Sequence, residues 1–348
     1  MRLTVQQFTV HKRFPLTISR GTTTQTTNLW LRLEADGIEG WGEASPFSLI
    51  KGQREDTNAL LAEIEIISTT LQQYSPFDRQ KIEEILQESQ TSSSVCAAID
   101  VALFDWLGKR NNLPLWRIWG LDSRRIPPTS ITVGIDSPEI VRKRVRDWME
   151  IFSPKIVKVK LGNPAGIEAD KAMLLAIRQE IPTVNLTVDA NGGWNLTSAI
   201  TMCHWLKQQE VIYVEQPLPV SEDENLLTLY QQSPLPIFVD ESCRTSRDIP
   251  RLASSVHGIN IKLMKAGGLT EAIRMIQVAK ACNLQVMYGC YSDSSLANTA
   301  MCHLAPLADY LDLDSHLNLT DDPFTGVIFK AGRLRLNDLP GLGVVLAG

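Results

Sequence analysis

Eight short apolar runs, repeated along the second part of the chain, limit its fold more than any other feature. Their starts lie 26, 29, 27, 25, 22, 27 and 24 residues apart, which is about what one strand and one crossover helix need. Units of this kind form a parallel sheet, and eight of them close a barrel. The sequence therefore predicts an α/β protein built on a barrel. The runs are 129–135, 155–161, 184–190, 211–215, 236–240, 258–263, 285–289 and 309–314.

The first part of the chain has a different pattern. Residues 3–43 alternate like antiparallel strands, with a turn at Ala35-Asp36-Gly37. The apolar spacing then becomes helical, and an alanine-rich run from Val95 to Leu107 indicates a closely packed helix. We expect three parts: an α+β domain over residues 1–125, a barrel domain over residues 126–326, and a C-terminal tail, residues 327–348, that packs back on the first domain.

Charge and composition exclude several classes of protein. A net charge of -5, with no cluster of Lys or Arg to offset it, argues against a nucleic-acid partner. There is no apolar run of about 18 residues to cross a membrane, and the chain starts without a cleavable signal pattern, so we expect a cytoplasmic protein. The six cysteines include no Cys-x-x-Cys pair, which indicates neither a zinc site nor a disulfide framework.

Charged residues fall at or near the ends of five consecutive runs, which is where a barrel of this type does its chemistry. Alternation along a strand puts the two lysines of the second run on one face, roughly 6–7 Å apart and pointing inward. The three carboxylates that follow would repel one another, and a set of oxygen donors suits a hard cation such as Mg²⁺. In run order, these residues are Lys158 and Lys160, Asp189, Glu215, Asp240, and Lys262.

This layout favours proton transfer next to a carboxylate. Runs two and six are four apart in a ring of eight, so Lys160 and Lys262 are expected to face each other across the barrel mouth. Deprotonating such a carbon gives an enediolate, which a cation must stabilise. The base must be a neutral lysine, which positive charge from Lys158 and a metal would favour by lowering its pKa. With one lysine on each face, the outcome is inversion.

The same ordered residues resemble the muconate-lactonizing branch of the enolase superfamily, for which a lysine or histidine base with Mg²⁺ is an established pattern. The resemblance extends to Gly40-Trp41-Gly42-Glu43 and to residues 102–109. It implies a modified (β/α)7β barrel of the TIM type with an α+β capping domain. It also implies two acid/base lysines, Lys160 and Lys262, an auxiliary Lys158, one Mg²⁺ per subunit on Asp189, Glu215 and Asp240, and support of the metal site by Asn191.

That branch includes muconate cycloisomerisation, o-succinylbenzoate synthesis, N-acylamino acid racemisation and dipeptide epimerisation. Asp312-Leu313-Asp314 lies on the strand opposite Glu215 and resembles the Asp-x-Asp of dipeptide epimerases, where a substrate ammonium would bind. Arg20, in the turn 17–22, resembles the arginine that meets the side-chain carboxylate in L-Ala-D/L-Glu epimerases. The alternative is a surface arginine in a mobile loop, and if Arg20 points away, the preferred residue is hydrophobic or cationic instead.

The resemblance thus predicts an isomerase that acts on a dipeptide, with two rival interpretations. The first is an N-succinylamino acid racemase or o-succinylbenzoate synthase, whose anionic acyl group Asp312 and Asp314 would repel. The second is a non-catalytic, metal-bound scaffold, which the complete set of lysines and carboxylates disfavours. Solvated acids at a strand end are the alternative for the aspartate pair. Barrels of this kind often form symmetric oligomers, so a homo-oligomer is compatible with the sequence.

Overall fold

The chain begins with an antiparallel sheet of three strands, β1 (Arg2–Ile18), β2 (Gly21–Ala35) and β3 (Ile38–Ala44). The computed structural model describes residues 1–46, 49–50, 53–54 and 56–348. The predicted turn lies between β2 and β3, where Asp36 and Gly37 have φ values of 52° and 71°. The next elements are β4 (Leu49–Ile50), β5 (Gln53–Arg54), α1 (Thr57–Leu71), α2 (Arg79–Glu88), α3 (Ser93–Arg110) and α4 (Leu115–Ile118).

Helix α3 packs very closely against β3. A Cβ atom on Gly40 would lie 2.1 Å from the carbonyl oxygen of Ala102, and one on Gly42 would lie 1.9 Å from that of Ala98. Only glycine on the strand allows this approach, and the small alanine side chains let the helix backbone come near. The alanine-rich run is therefore a closely packed helix, as its sequence predicted.

Eight parallel strands form the barrel, and each pairs with the next along the chain. A parallel bridge between Thr129 and Leu311 joins the two ends of the sheet. Each strand falls within its predicted run, so the eight-strand prediction is confirmed. The strands are β6 (Ile131–Val133), β7 (Ile156–Lys160), β8 (Asn185–Asp189), β9 (Val211–Glu215), β10 (Ile237–Val239), β11 (Gly258–Lys262), β12 (Gln285–Gly289) and β13 (Tyr310–Asp312).

The barrel helices all precede the last strand. In the part of the chain that the structure describes, no α-helix follows β13, which gives the predicted (β/α)7β arrangement. The helices are α5 (Pro138–Phe152), α6 (Ile167–Glu180), α7 (Leu196–Gln208), α8 (Leu226–Gln232), α9 (Ile249–Leu252), α10 (Leu263–Ala266), α11 (Leu269–Ala281) and α12 (Ser295–Cys302). Short 3-10 helices are Ser123–Arg125, Val220–Asn225, Ser246–Asp248, Ala305–Leu307 and Ser315–Asn318.

The C-terminal tail makes backbone contacts with the first part of the chain. The amide of Leu342 donates to Asp105 Oδ1 on α3 at 2.8 Å, and that of Leu115 donates to the carbonyl of Gly341 at 3.1 Å. Asp105 also accepts from the amide of Trp41 on β3 at 2.8 Å, so one buried carboxylate ties a strand, a helix and the tail together. The tail strands are β15 (Ile328–Lys330), β16 (Arg333–Arg335) and β17 (Val345–Leu346), and β17 pairs with β14 (Phe324–Thr325), which lies just before the tail.

Two large apolar cores result. One lies between the barrel strands and the helices that surround them, and the other lies between the three-stranded sheet and helices α1–α3. A small separate cluster, Tyr213, Phe238 and Met287, lies inside the barrel, on the strand face that carries Glu215. None of the six cysteines, all of which lie in the described part of the chain, forms a disulfide. Among the described residues, no helix is both long enough and apolar enough to cross a membrane.

Candidate active site

Three carboxylates lie at the carboxyl ends of adjacent barrel strands. Asp189 is the last residue of β8, Glu215 is the last residue of β9, and Asp240 directly follows β10. Asp189 and Glu215 are register partners, so their side chains point to the same side of the sheet. All three are buried, with at most 1% of their surface exposed. Buried charge of this density must be compensated.

The two lysines of β7 supply part of that compensation. Lys158 Nζ lies 2.7 Å from Glu215 Oε2 and 3.2 Å from Asp189 Oδ2. Lys160 Nζ lies 2.6 Å from the same Asp189 oxygen. Both side chains therefore reach into the barrel from one face of the strand, and neither has its ammonium in bulk solvent.

Asp240 carries two further lysines, one on each oxygen. Lys262, at the end of β11, places Nζ 2.8 Å from Asp240 Oδ2 and 4.5 Å from the centre of the Tyr291 ring. Lys265, on α10, places Nζ 2.6 Å from Asp240 Oδ1. The sequence pattern did not mark Lys265, although its spacing from Lys262, just past a strand end, is a signal that could have found it.

Two asparagines hold the other carboxylates. Asn191 donates its backbone amide to Asp189 Oδ1 at 2.8 Å and its side-chain amide to Asp189 Oδ2 at 3.2 Å. Asn260 donates its side-chain amide to Glu215 Oε1 at 2.7 Å. Asn260 was also missed from sequence, and the signal was its position two residues before Lys262, on the same face of β11.

These ion pairs set the charge states. Burial opposes ionisation of Asp189, but the ammonium groups of Lys160 and Lys158 outweigh it and lower its pKa. Burial and the charge of Asp189 raise the pKa of Glu215 to about 7. Burial favours the neutral amine of Lys262, yet the facing Asp240 outweighs it and raises the pKa of Lys262 well above its ordinary value. Because Lys262 stays paired with Asp240 even with Lys265 on the other oxygen, a neutral Lys262 requires a further cation to share the charge of Asp240.

The two aspartates at the carboxyl end of β13 have different partners. Asp312 Oδ2 lies 2.5 Å from Lys158 Nζ, and Asp312 Oδ1 accepts from the Ser130 hydroxyl at 2.6 Å. Asp314 lies just beyond the strand and accepts the backbone amide of Thr132 at 2.6 Å. Burial and the charge of Asp312 raise the pKa of Asp314 to about 6. Lys158 on β7 thus links Asp312 on β13 to Glu215 on β9, across the barrel.

The turn between β1 and β2 lies over the barrel mouth. Arg20 Nη1 donates to the carbonyl of Asn191 at 3.0 Å, and Nη2 donates to Glu241 Oε1 at 2.6 Å. A cavity of about 760 Å³ lies here, with Arg20, Glu241, Tyr291 and Leu218 in its walls. Arg20 therefore borders the cavity, but with a protein carboxylate as partner. The sequence pattern did not mark Glu241, which directly follows Asp240.

Glu43, which the sequence placed in the Gly40-Trp41-Gly42-Glu43 motif without a role, joins β3 to the barrel. Its buried carboxylate accepts from Asn28 Nδ2 at 2.7 Å, from the backbone amide and hydroxyl of Ser294, and from the amide of Ala297 at 3.2 Å. Burial and the charge of Asp293, opposed by the Ser294 hydrogen bonds, raise the pKa of Glu43 to about 8.

The donor set fits a hard divalent cation in its chemistry and its place, since Asp189, Glu215 and Asp240 offer only oxygen from three adjacent strand ends. The buried Glu215 Oε2 accepts no hydrogen bond from any described residue, and Lys158 approaches it at 2.7 Å as an ion pair. Within the described ranges, no three acidic, histidine or cysteine side chains already converge as ligands. Each of the three carboxylates instead pairs with an ammonium group.

Family models match both parts of the chain. Residues 2–120 match the family model of the mandelate racemase / muconate lactonizing enzyme N-terminal domain, and residues 141–347 match the enolase C-terminal domain-like model. The chain belongs to the enolase superfamily. The resemblance predicted from the lysines and carboxylates is thereby confirmed, as is the barrel with its capping sheet.

Relatives of this superfamily chain include named epimerases. A hydrophobic dipeptide epimerase of Flavobacteria bacterium (strain MS024-2A) is 40% identical over 99% of this chain and 98% of its own length. An L-Ala-D/L-Glu epimerase of Bacteroides thetaiotaomicron is 36% identical over 99% of this chain and 88% of its own. The crystal structure of a dipeptide epimerase from Enterococcus faecalis V583, complexed with Mg and L-Leu-L-Tyr, has a TM-score of 0.91 and 30% identity and covers 99% of this chain and 98% of that one.

Proposed function

We propose that this member of the enolase superfamily is a magnesium-dependent dipeptide epimerase, which inverts the α-carbon of the C-terminal residue by two-base 1,1-proton transfer. One observation carries the proposal: Lys160 and Lys262 approach a group of three buried carboxylates from either side, at the carboxyl ends of β7 and β11. The names of the relatives at 40% and 36% identity support the same activity.

One Mg²⁺ per subunit would be held by Asp189, Glu215 and Asp240. A related dipeptide epimerase complexed with Mg supports this assignment. Bound there, the cation supplies positive charge against the charge that develops on the substrate carboxylate during deprotonation. Asn191 fixes Asp189 through two hydrogen bonds, and Lys158 is the auxiliary cation deep in the barrel.

Lys160 and Lys262 would carry the proton transfer. One ε-amine takes the proton from the α-carbon, which becomes planar, and the ammonium group of the other returns a proton to the opposite face. A general acid or base of this kind is worth about 10²- to 10⁴-fold in rate. Because the two lysines act on opposite faces, each one alone still supports exchange of the α-proton in a single epimer.

Asp312 and Asp314 would receive the dipeptide ammonium, and Arg20 would read the C-terminal side chain. In the proposed division of labour, the capping domain, residues 1–125, contributes Arg20, and the barrel domain, residues 126–326, contributes the other groups. The tail, residues 327–348, packs on the capping domain. A cytoplasmic location, the lack of a nucleic-acid partner and a homo-oligomeric assembly stay predictions from the sequence.

The test is mass spectrometry of an L,L-dipeptide library in D₂O with Mg²⁺, including L-Ala-L-Glu and L-Ala-L-Leu. Gain of one mass unit in the C-terminal residue is expected, with loss of inversion in Lys160→Ala and in Lys262→Ala. N-succinylamino acids serve as the comparison substrates. Exchange in those compounds and in no dipeptide would sink the dipeptide assignment and leave proton transfer intact.

A further inference from the structure

Lys265 is a buried lysine with all its donors in use. It lies on α10, and only 3% of its surface is exposed. Its Nζ donates to Asp240 Oδ1 at 2.6 Å, to the carbonyl of Asp240 at 2.6 Å and to the carbonyl of Asn260 at 2.8 Å. An ammonium group has three protons, so this one is saturated. The two backbone acceptors hold the ammonium group in place even when the Asp240 carboxylate changes its partner.

Lys262 pairs with the other oxygen of the same aspartate, but it has fewer fixed partners than Lys265. It reaches Asp240 Oδ2 at 2.8 Å and otherwise lies against the aromatic face of Tyr291. A carboxylate with a fixed cation on one oxygen attracts a second ammonium less strongly than a bare one. Without Lys265, Lys262 would be the nearest counter-charge of a fully buried aspartate, and such pairs are costly to break.

We propose that Lys265 is a positioning residue: its fixed ammonium holds one oxygen of Asp240 and so weakens the pairing of Asp240 with Lys262, which must be released to reach the α-carbon of the substrate. The inference rests on the proposed function, since it assigns Lys262 to proton transfer. Two chemically identical groups then have different roles: Lys265 is a permanent counter-charge, and Lys262 is a mobile acid or base. The backbone carbonyls bound by Lys265 are what separate these roles.

The link to Asn260 extends the effect to a second carboxylate. Lys265 binds the carbonyl of Asn260, while the side chain of Asn260 donates to Glu215 Oε1 at 2.7 Å. One ammonium thereby fixes the end of β11 between Glu215 and Asp240. Arginine at position 265 would keep the charge there, whereas glutamine would keep hydrogen-bond donors without charge.

The experiment compares Lys265→Met, Lys265→Gln and Lys265→Arg in the full chain, with Lys109→Met as control. Lys109 is matched because it also joins an aspartate and a backbone carbonyl, Asp105 and Glu39, but in the capping domain. Deuterium exchange and inversion are followed from both epimers of one dipeptide at saturating Mg²⁺. The epimer that Lys160→Ala still exchanges is the one that Lys262 serves. Calorimetric titration with Mg²⁺ alone gives the metal affinity.

We expect Lys265→Met and Lys265→Gln to slow exchange of the epimer served by Lys262 at least about tenfold and that of the other epimer less than about threefold, with inversion reduced in both directions. Lys265→Arg and Lys109→Met should stay within about threefold of the parent chain. The two uncharged variants should bind Mg²⁺ at least as tightly as the parent, because a positive charge beside a ligand has been removed.

Equal slowing of both epimers, or more than about tenfold weaker Mg²⁺ binding in Lys265→Gln, would overturn the proposal, because Lys265 would then serve the fold or the ligand geometry alone. If Lys265→Met does not fold, Lys265→Gln decides. If the parent chain exchanges no dipeptide, the proposed function has failed, and the Mg²⁺ titration of the same variants still tests the counter-charge on Asp240.

Discussion

The raised pKa of Glu43 predicts how the stability of the protein changes with pH. Glu43 links the end of β3 to the start of α12, with 1% of its surface exposed, and its pKa is raised from 4.5 to about 8. A group with a raised native pKa binds its proton more tightly in the folded state, so its stabilising effect is present below the unfolded pKa and is lost as the pH rises through the native pKa. Each pH unit in that window changes the free energy of unfolding by about 1.4 kcal/mol.

Glu43→Gln removes this titration and keeps the shape of the side chain. Between pH 5 and pH 8, the parent chain should lose about 4 kcal/mol more unfolding free energy than Glu43→Gln. Urea unfolding followed by circular dichroism at several pH values measures the difference. Glu88→Gln, on an exposed part of α2, is the matched control and should follow the parent.

Parallel pH profiles for the parent and Glu43→Gln would refute the reasoning. Glu43 would then already be ionised at pH 5, and the hydrogen bonds from Asn28, Ser294 and Ala297 would outweigh its burial. The same profiles would show that the contact between β3 and α12 does not weaken as the pH rises.

Three other changes test separate parts of the chain. Gly42→Ala puts a Cβ 1.9 Å from the Ala98 carbonyl oxygen, so we expect a loss of about 2 kcal/mol or more in unfolding free energy. An unchanged melting temperature would show that β3 and α3 can move apart without cost. Asp314→Asn should raise KM for dipeptides about tenfold with kcat nearly unchanged, because binding of a remote ammonium is uniform; an unchanged KM would remove Asp314 from the substrate site. Glu241→Gln takes the charged partner from Arg20, and steady-state kinetics should show the kcat/KM ratio of L-Ala-L-Glu to L-Ala-L-Leu rising about tenfold; a constant ratio would mean that Arg20 does not read the side chain.

The barrel could be predicted because its signal is local and repeated. Strands buried on both faces read as continuous apolar runs, and β12 has the predicted bounds, Gln285–Gly289. The first run, 129–135, was too long, because only Ile131–Val133 pair in register with β7. Strand ends depend on the neighbouring strand, which the run itself does not contain.

The candidate site could be predicted in its residues but not in its pairings. Strand order alone placed Asp189, Glu215 and Asp240 side by side, because parallel strands end at the same edge of a barrel. The sequence predicted that one lysine acts as a neutral base. In the structure, Asp240 lies 2.8 Å from Lys262 and raises its pKa, which favours the charged form. Alternation tells which face a side chain lies on, but not which opposite charge it meets.

The sequence by itself determined the eight strands, the close packing of α3 and the order of the charged residues, because periodicity and spacing are properties of the chain as written. Only the tertiary structure decided that Arg20 pairs with Glu241, 221 positions away, and that Glu43 accepts from Ser294, 251 positions away. The partner of a buried charge is set by how whole elements pack and by which groups lose water together. That information is in no local segment of the sequence.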